Sequence, residues 1–301
     1  MNILNNNLST FPSDFNEFIN HVGIGILILN KKMDIQYINI KAVKIFGYNN
    51  GELENKNFTN LLYKSSKRIL ENLIESLKLS QKDKLPTEFI GIHKNNSTFT
   101  LELSVTLNES DNGILYTVIL RDISDYKIIE ENLKHQAYFD QLTGIPNRTL
   151  LYDRSENALN QAIRSNDDLA IIFIDLDGFK EINDQYGHET GDIFLKDVSQ
   201  RFINSARKSD TVSRIGGDEF IILMPRIKNA RDASNLAERI LESNSKPITI
   251  NNNLIYPKTS IGISVYPQDG DTIEILINNA DKAMYSAKKI GINNYLFYKN
   301  H

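Results

Sequence analysis

The sequence predicts an α+β protein of two domains joined by a helix, and three observations lead there. The first half alternates short β-rich runs around a helical stretch, with turn-forming residues between them. The segment after it carries apolar residues at helical spacing. The second half sets an unbroken apolar strand among amphipathic helical segments. A chain of 301 residues is long enough to bury two cores, and 41% hydrophobic with 24% charged residues is a globular composition.

Composition also removes classes of function. A net charge of −4 lacks the basic excess of a duplex-binding protein, so no nucleic-acid partner is expected. The absence of cysteine rules out disulfides, thiolate nucleophiles and cysteine-ligated zinc, and suits a reducing compartment. The opening MNILNNNLSTFPSDF has no basic region before an apolar core, and the longest apolar run, Val22 to Leu29, is too short to cross a bilayer. A cytoplasmic protein with no membrane span is therefore expected. Asparagine runs such as Asn5-Asn6-Asn7 and Asn251-Asn252-Asn253 read as tail and loop filler.

After a tail over 1–12, strands are expected at GILIL (25–29) and IQYIN (35–39), followed by helical KAVKIFGY and a helix over about 65–80. Further strands fall near 87–93, 98–107 and 114–120, with turns rich in Asn, Gly and Lys between them. This order makes a small antiparallel sheet with a helical flank. The runs GIGILILNKKMDIQYINIKAVKIFGYNNGEL, IGIHKNNSTFTLELSVTL and VILRDISDYK resemble a PAS sensor domain over 13–124, the closing Arg121-Asp122-Ile123-Ser124 most specifically. No ligand is assigned to it. Without cysteine there is no thiol for a flavin adduct, and the helix at 65–80 has no histidine for haem iron. His21 and His93 lack convergent partners and read as surface or turn residues.

Residues 125–138 form a linker helix on which Tyr126, Ile129, Leu133 and Gln136 share one stripe. About two heptads are too few for a stable coiled coil alone. The stripe either pairs across two chains brought together by the sensor domain, or packs on its own domain.

The second domain, 139–301, opens on the turn-rich Asp140 to Arg148, a pair expected to form a salt bridge, then a helix over about 149–165. Ile171 to Ile174 is an apolar run expected to be buried on both faces, and it ends in Asp175-Leu176-Asp177-Gly178. Carboxylates at a buried strand's end are costly unless something positive meets them. Helical FKEINDQYG and DIFLKDVSQRFINSA follow, Asp192 reading by itself as a cap of the second. Next comes the hairpin DTVSRI–GG–DEFIILM, with Gly216-Gly217 expected as its two-residue turn. Glycines let a hairpin tip approach a ligand, and Asp218 then joins Asp175 in an oxygen-rich pocket suited to Mg²⁺ or Mn²⁺, with the Leu176 carbonyl assisting. The amides of Gly178, Phe179 and Lys180, where a turn enters a helix, make a nest for phosphates.

DQLTGIPNR, DLDGFKEINDQYGHETGD, RIGGDEF, SIGIS (260–264) and ADKAMYSAKKIGIN (280–293) resemble the GGDEF domain of diguanylate cyclases throughout 139–301. The resemblance implies a sheet like that of polymerase palms and nucleotide cyclases, with flanking helices. It also implies an antiparallel homodimer that joins two GTP into cyclic di-GMP and releases two pyrophosphates. Carried over by position, Asp175, Asp218 and the Leu176 carbonyl become metal ligands, and Asp218 or Glu219 the base. Asn183 and Asp192 become guanine readers with His188 nearby, and Lys180 and Lys288 phosphate partners. An aspartate accepts from the N1 and N2 donors of guanine, so Asp192 argues for GTP over ATP. One departure stands out: Ile292 follows Gly291 where the family usually has an arginine, which removes one triphosphate contact. Arg207-Lys208-Ser209-Asp210 is similar to the family's RxxD inhibitory site for cyclic di-GMP, with Arg239 as a second contact. Rival readings are a catalytically silent receptor for GTP or cyclic di-GMP and a scaffold acting through its PAS half. No phosphodiesterase-like segment is read in the 301 residues, so breakdown of the product is not expected.

Overall fold

The structure is a computed structural model that describes residues 23–80, 86–110 and 113–298. His21 and the Asn5-Asn6-Asn7 run lie outside the described residues. The chain divides into two compact units, Met1–Asn132 and Leu133–His301.

In the first unit β1 (Gly25–Asn30) and β2 (Ile35–Ile38) lead into α1 (Ile40–Ile45) and then α2 (Lys64–Ser80). Strands β3 (Thr87–Ile92), β4 (Thr98–Ser110) and β5 (Gly113–Asp122) complete an antiparallel sheet of order β2-β1-β5-β4-β3. Strand β1 alternates buried and half-buried positions, so Leu27 and Leu29 enter a core with Phe46, Phe58, Leu103 and Val118. Asn39 closes the first turn of α1: its Oδ1 accepts from Ala42 N at 3.0 Å and from Ile26 N at 2.9 Å. His93 sits in the turn after β3 and stacks on Phe99 at 4.1 Å, as a turn residue would. Strand β4 runs three residues past the expected 107 because its pairing with β5 continues to Ser110 opposite Gly113.

Helix α3 (Ser124–Tyr138) follows and buries none of its residues. Tyr126, Ile129 and Leu133 are 64%, 57% and 60% exposed, so the apolar stripe faces solvent within this chain.

The second unit runs α4 (Arg148–Ser165), β6 (Asp168–Leu176), α5 (Phe179–Tyr186), α6 (His188–Ser205), β7 (Thr211–Gly216) and β8 (Glu219–Ile227). It continues with α7 (Ala230–Asn244), the hairpin β9 (Ile248–Ile250) and β10 (Asn253–Ile255), β11 (Thr259–Tyr266), α8 (Ile273–Ile290) and β12 (Asn294–Phe297). Its main sheet has the order β12-β11-β6-β8-β7, antiparallel except for the β11–β12 pair.

Strand β6 is central and buried on both faces, which is why its apolar run does not alternate. Ala170, Ile172 and Ile174 join Phe194, Phe202 and Leu236 from α6 and α7. Leu169, Ile171 and Phe173 join Leu151, Leu276 and Ala280 from α4 and α8. Helix α8 lies directly on β11 at Gly262. A Cβ there would overlap the Ala280 carbonyl oxygen and the Met284 amide, so SIGIS needs a residue without a side chain at this contact. This close approach sets where the last turn of α8, and Lys288 with it, meets the end of β6.

Candidate active site

Period-two alternation decides which face of the sheet carries the chemistry. Asp175 lies two residues beyond Phe173, on the face covered by α4 and α8, and pairs in register with Glu219 of β8 and Ser260 of β11. Directly opposed residues point to the same side, so two carboxylates stand together at the end of the buried strands. Asp218 is one residue away, and its carbonyl accepts from Leu176 N at 3.2 Å, tying the hairpin tip to the end of β6.

The tip differs from the sequence expectation by one position. Gly216 ends β7 opposite Glu219, and the two-residue turn is Gly217-Asp218 rather than Gly216-Gly217. A register irregularity between Arg214 and Gly216 produces the offset. Only Gly217, at φ +52°, uses the left-handed region. Asp218 is thereby a turn residue, and both its side chain and that of Glu219 are half-buried.

Lys288 supplies the positive charge that the buried acids require. Its Nζ donates to Asp175 Oδ1 at 2.5 Å and lies 3.1 Å from Asp177 Oδ1. Asp177, missed as a site residue in the sequence, is 7% exposed; Ser260 Oγ donates to its Oδ2 at 2.7 Å, while its Oδ1 faces the Lys288 ammonium. The Asp-x-Asp spacing of 175–177 was its signal. Burial pushes the Asp175 carboxyl above its usual value, as do the charges of Asp218 and Asp177, against the opposing pull of Lys288. Glu219 is raised too, by burial and then by Asp218, Asp175 and Asp281, with Arg148 opposing. Burial would lower the Lys288 ammonium, but Asp175 and Asp177 outweigh it and hold it above its usual value.

Among the described residues, no three His, Cys, Asp or Glu side chains form a ready metal cluster. The donor set nevertheless fits a divalent cation: Asp175, Asp177, Asp218 and Glu219 crowd one strand end, and the single Lys288 ammonium among them leaves an excess of carboxylate oxygens.

Around this centre, Gly178 at φ +77° caps α5 without a side-chain hydrogen bond, leaving the amides of Phe179 and Lys180 at an uncapped helix start. The Phe179 ring anchors that turn by stacking on Phe194 at 6.1 Å, and Lys180 is exposed. Asn183 is half-buried on α5, while His188 and Asp192 are exposed on α6. Asp192 is not a cap. The helix starts at His188 after Gly187, which puts Asp192 in its second turn.

Asp140 also corrects the expectation. Its partner is Arg214, not Arg148: Nη1 donates to the two carboxylate oxygens at 3.0 and 3.2 Å. The same guanidinium donates through Nε and Nη2 to the Gly217 carbonyl at 2.9 and 2.8 Å, so one arginine joins the DQLTG turn to the hairpin tip. Burial would raise Asp140, but the Thr143 hydroxyl and amide, together with Arg214, hold it below its usual value.

Away from this centre, Asp210 Oδ2 accepts from Arg207 N at 2.9 Å, closing the turn between α6 and β7. Arg207 Nη2 lies 3.5 Å from Asp232, and Arg239 donates to the Ser205 carbonyl at 3.2 and 3.0 Å. Burial raises the Asp210 carboxyl against these neighbours. A cavity of about 330 Å³ opens beside the turn, lined by Arg154, Arg207, Asp210, Ile145 and Pro146.

Acids converging at a sheet end beside a lysine, with an uncapped helix start following the same strand, define an α+β domain whose site is suited to cations and phosphates. The family model described as "Diguanylate cyclase, GGDEF domain" matches residues 137–294, and a PAS-domain model matches 23–125. The chain belongs to the GGDEF family of diguanylate cyclases, with a PAS domain preceding the GGDEF domain. It is 46% identical over 164 residues to the bifunctional diguanylate cyclase/cyclic di-GMP phosphodiesterase MucR of Pseudomonas aeruginosa, covering 54% of this chain and 24% of that protein. To diguanylate cyclase DgcM of Escherichia coli O157:H7 it is 32% identical over 276 residues, covering 90% of this chain and 65% of that one. The crystal structure of the GGDEF domain of PA1120 from P. aeruginosa aligns with a TM-score of 0.52 at 37% identity, covering 53% of this chain and 99% of that one. The chain thus spans less than two thirds of the length of these two curated relatives.

Proposed function

We propose that the protein is a diguanylate cyclase that condenses two GTP into cyclic di-GMP under the control of its PAS domain. The observation that carries the reading is the register pairing of Asp175 with Glu219, with Asp218 tied to the same strand end. Each 3′-hydroxyl attacks the α-phosphorus of the other nucleotide: a new P–O bond forms, the bond to pyrophosphate breaks, and the hydroxyl proton passes to Asp218 or Glu219. Burial and the neighbouring carboxylates hold the Glu219 carboxyl above its usual value, which suits it to accepting a proton. Asp175, Asp218 and the Leu176 carbonyl would hold magnesium or manganese, which when bound would neutralise charge at the phosphates. Lys288 then exchanges its carboxylate contacts for phosphate oxygens, and the amides of Gly178, Phe179 and Lys180 receive the rest of the triphosphate. Asn183 and Asp192 read the guanine edge, with His188 beside them.

One nucleotide per subunit requires two copies, and the exposed stripe of α3 is where we place their pairing. Arg207, Asp210 and Arg239 form a site where cyclic di-GMP inhibits.

The test is incubation of the purified chain with GTP and Mg²⁺. Two pyrophosphates per cyclic dinucleotide, lost in Glu219→Gln and Asp175→Asn, support the reading. A dimeric sample that binds GTP and releases neither product refutes it and favours a receptor.

A further inference from the structure

Gly191 lies inside α6, where it is buried and its amide donates to the Gly187 carbonyl at 3.2 Å. Glycine is the poorest helix former after proline, so a glycine here needs a reason. Backbone freedom is not that reason, since Gly191 is absent from the residues at positive φ. Space is. A Cβ at this position would overlap Oδ1 of Asn183 and stand 3.0 Å from its Cγ, with Phe179 Cε2 at 3.4 Å. The Asn183 amide therefore rests on the bare face of α6, one residue before the exposed Asp192.

We propose that Gly191 is a positioning residue for purine selection: its missing side chain leaves the space in which the Asn183 amide rests on α6, the helix that carries Asp192. The inference rests on the reading of Asn183 and Asp192 as the guanine-binding pair. The chemistry is that of a nucleotide base with a donor edge, for which an amide and a carboxylate must stand side by side. A methyl group at 191 pushes the amide off this face. The atom displaced is the tip of a movable side chain, so the fold does not suffer, and the base loses one hydrogen-bonding partner.

Stability and selection are thus expected to move in opposite directions, which a purely structural glycine would not produce. Gly191→Ala is expected to keep or raise the melting temperature, because alanine favours helix. It is also expected to raise the KM for GTP about five- to tenfold, the scale of one lost hydrogen bond, and to narrow the preference for GTP over inosine triphosphate, which lacks the 2-amino group. Asn183→Ala should give the same changes, and the double variant should be no worse than Asn183→Ala alone. Initial pyrophosphate release from the purified chain and titration with a fluorescent GTP analogue read both quantities. Gly191→Ala with wild-type GTP affinity, while Asn183→Ala is impaired, overturns the inference, as does an additive double variant. Asn183→Ala with wild-type affinity overturns the guanine reading and the inference with it.

Discussion

Replacing Asp140 by asparagine tests whether the DQLTG turn holds the GGDEF hairpin in place. The pair with Arg214 is two-pronged, at 3.0 and 3.2 Å, with side chains 11% and 22% exposed. Charge-assisted contacts of this kind contribute about 1.5–3 kcal/mol when shielded. Partial exposure reduces that, while leaving the arginine without its counter-charge adds to the loss, so about 2 kcal/mol is expected. For a unit of this size that corresponds to a fall of about 4–8 °C in its calorimetric transition. Hydrogen exchange of the 211–220 peptide should rise in the same variant, because Arg214 also fixes the Gly217 carbonyl. In a double-mutant cycle with Arg214→Met, the coupling should reach about 1–2 kcal/mol. The sign with pH follows from a carboxyl held below its usual value. Its contribution is complete above the unfolded value of about 3.9 and is lost as pH falls through the lower folded value. The gap between wild type and Asp140→Asn should therefore be constant from about pH 7 to pH 5 and close only in stronger acid. Additive single variants, with unchanged exchange in the hairpin, would refute the clamp.

Gly262→Ala should destabilise by about 2–3 kcal/mol or more in denaturant melts, since the added methyl meets the backbone of α8 rather than a side-chain tip. Arg207→Ala should remove the fall in initial rate caused by added cyclic di-GMP; a wild type insensitive to high micromolar product would exclude the inhibitory site. Ile129→Glu puts a charge on the exposed stripe of α3 and should shift the light-scattering mass from dimer toward monomer, with activity falling in parallel. In an NMR titration the Glu52 carboxyl should have a midpoint of about 2, and Lys94→Met should move it upward by removing its nearest cation.

The fold was legible where burial imposes a period on the chain. Strand β6 reads as doubly buried because Ile171 to Ile174 never alternate, and the first domain's strands read from their β-rich runs and the turn residues between them. The two acids were legible because Asp175 and Asp218 each end or flank an apolar strand. Less legible were Asp177, the one-residue offset of the Gly217-Asp218 turn, the start of α6 at His188, and the partner of Asp140. Turn offsets and helix starts depend on one or two hydrogen bonds that no periodicity records.

By itself the sequence determined which residue types are present and which face of each element is apolar, since hydrophobic spacing at 2.0 or 3.6 residues is a local property of the chain. Only the tertiary structure decided which polar groups meet. Lys288 reaches Asp175 across 113 positions, and Arg214 reaches Asp140 across 74. Those meetings follow from strand order, register and the close packing of α8 on Gly262, because a charge buried at the end of a strand is tolerated only beside whatever opposite charge the fold brings there.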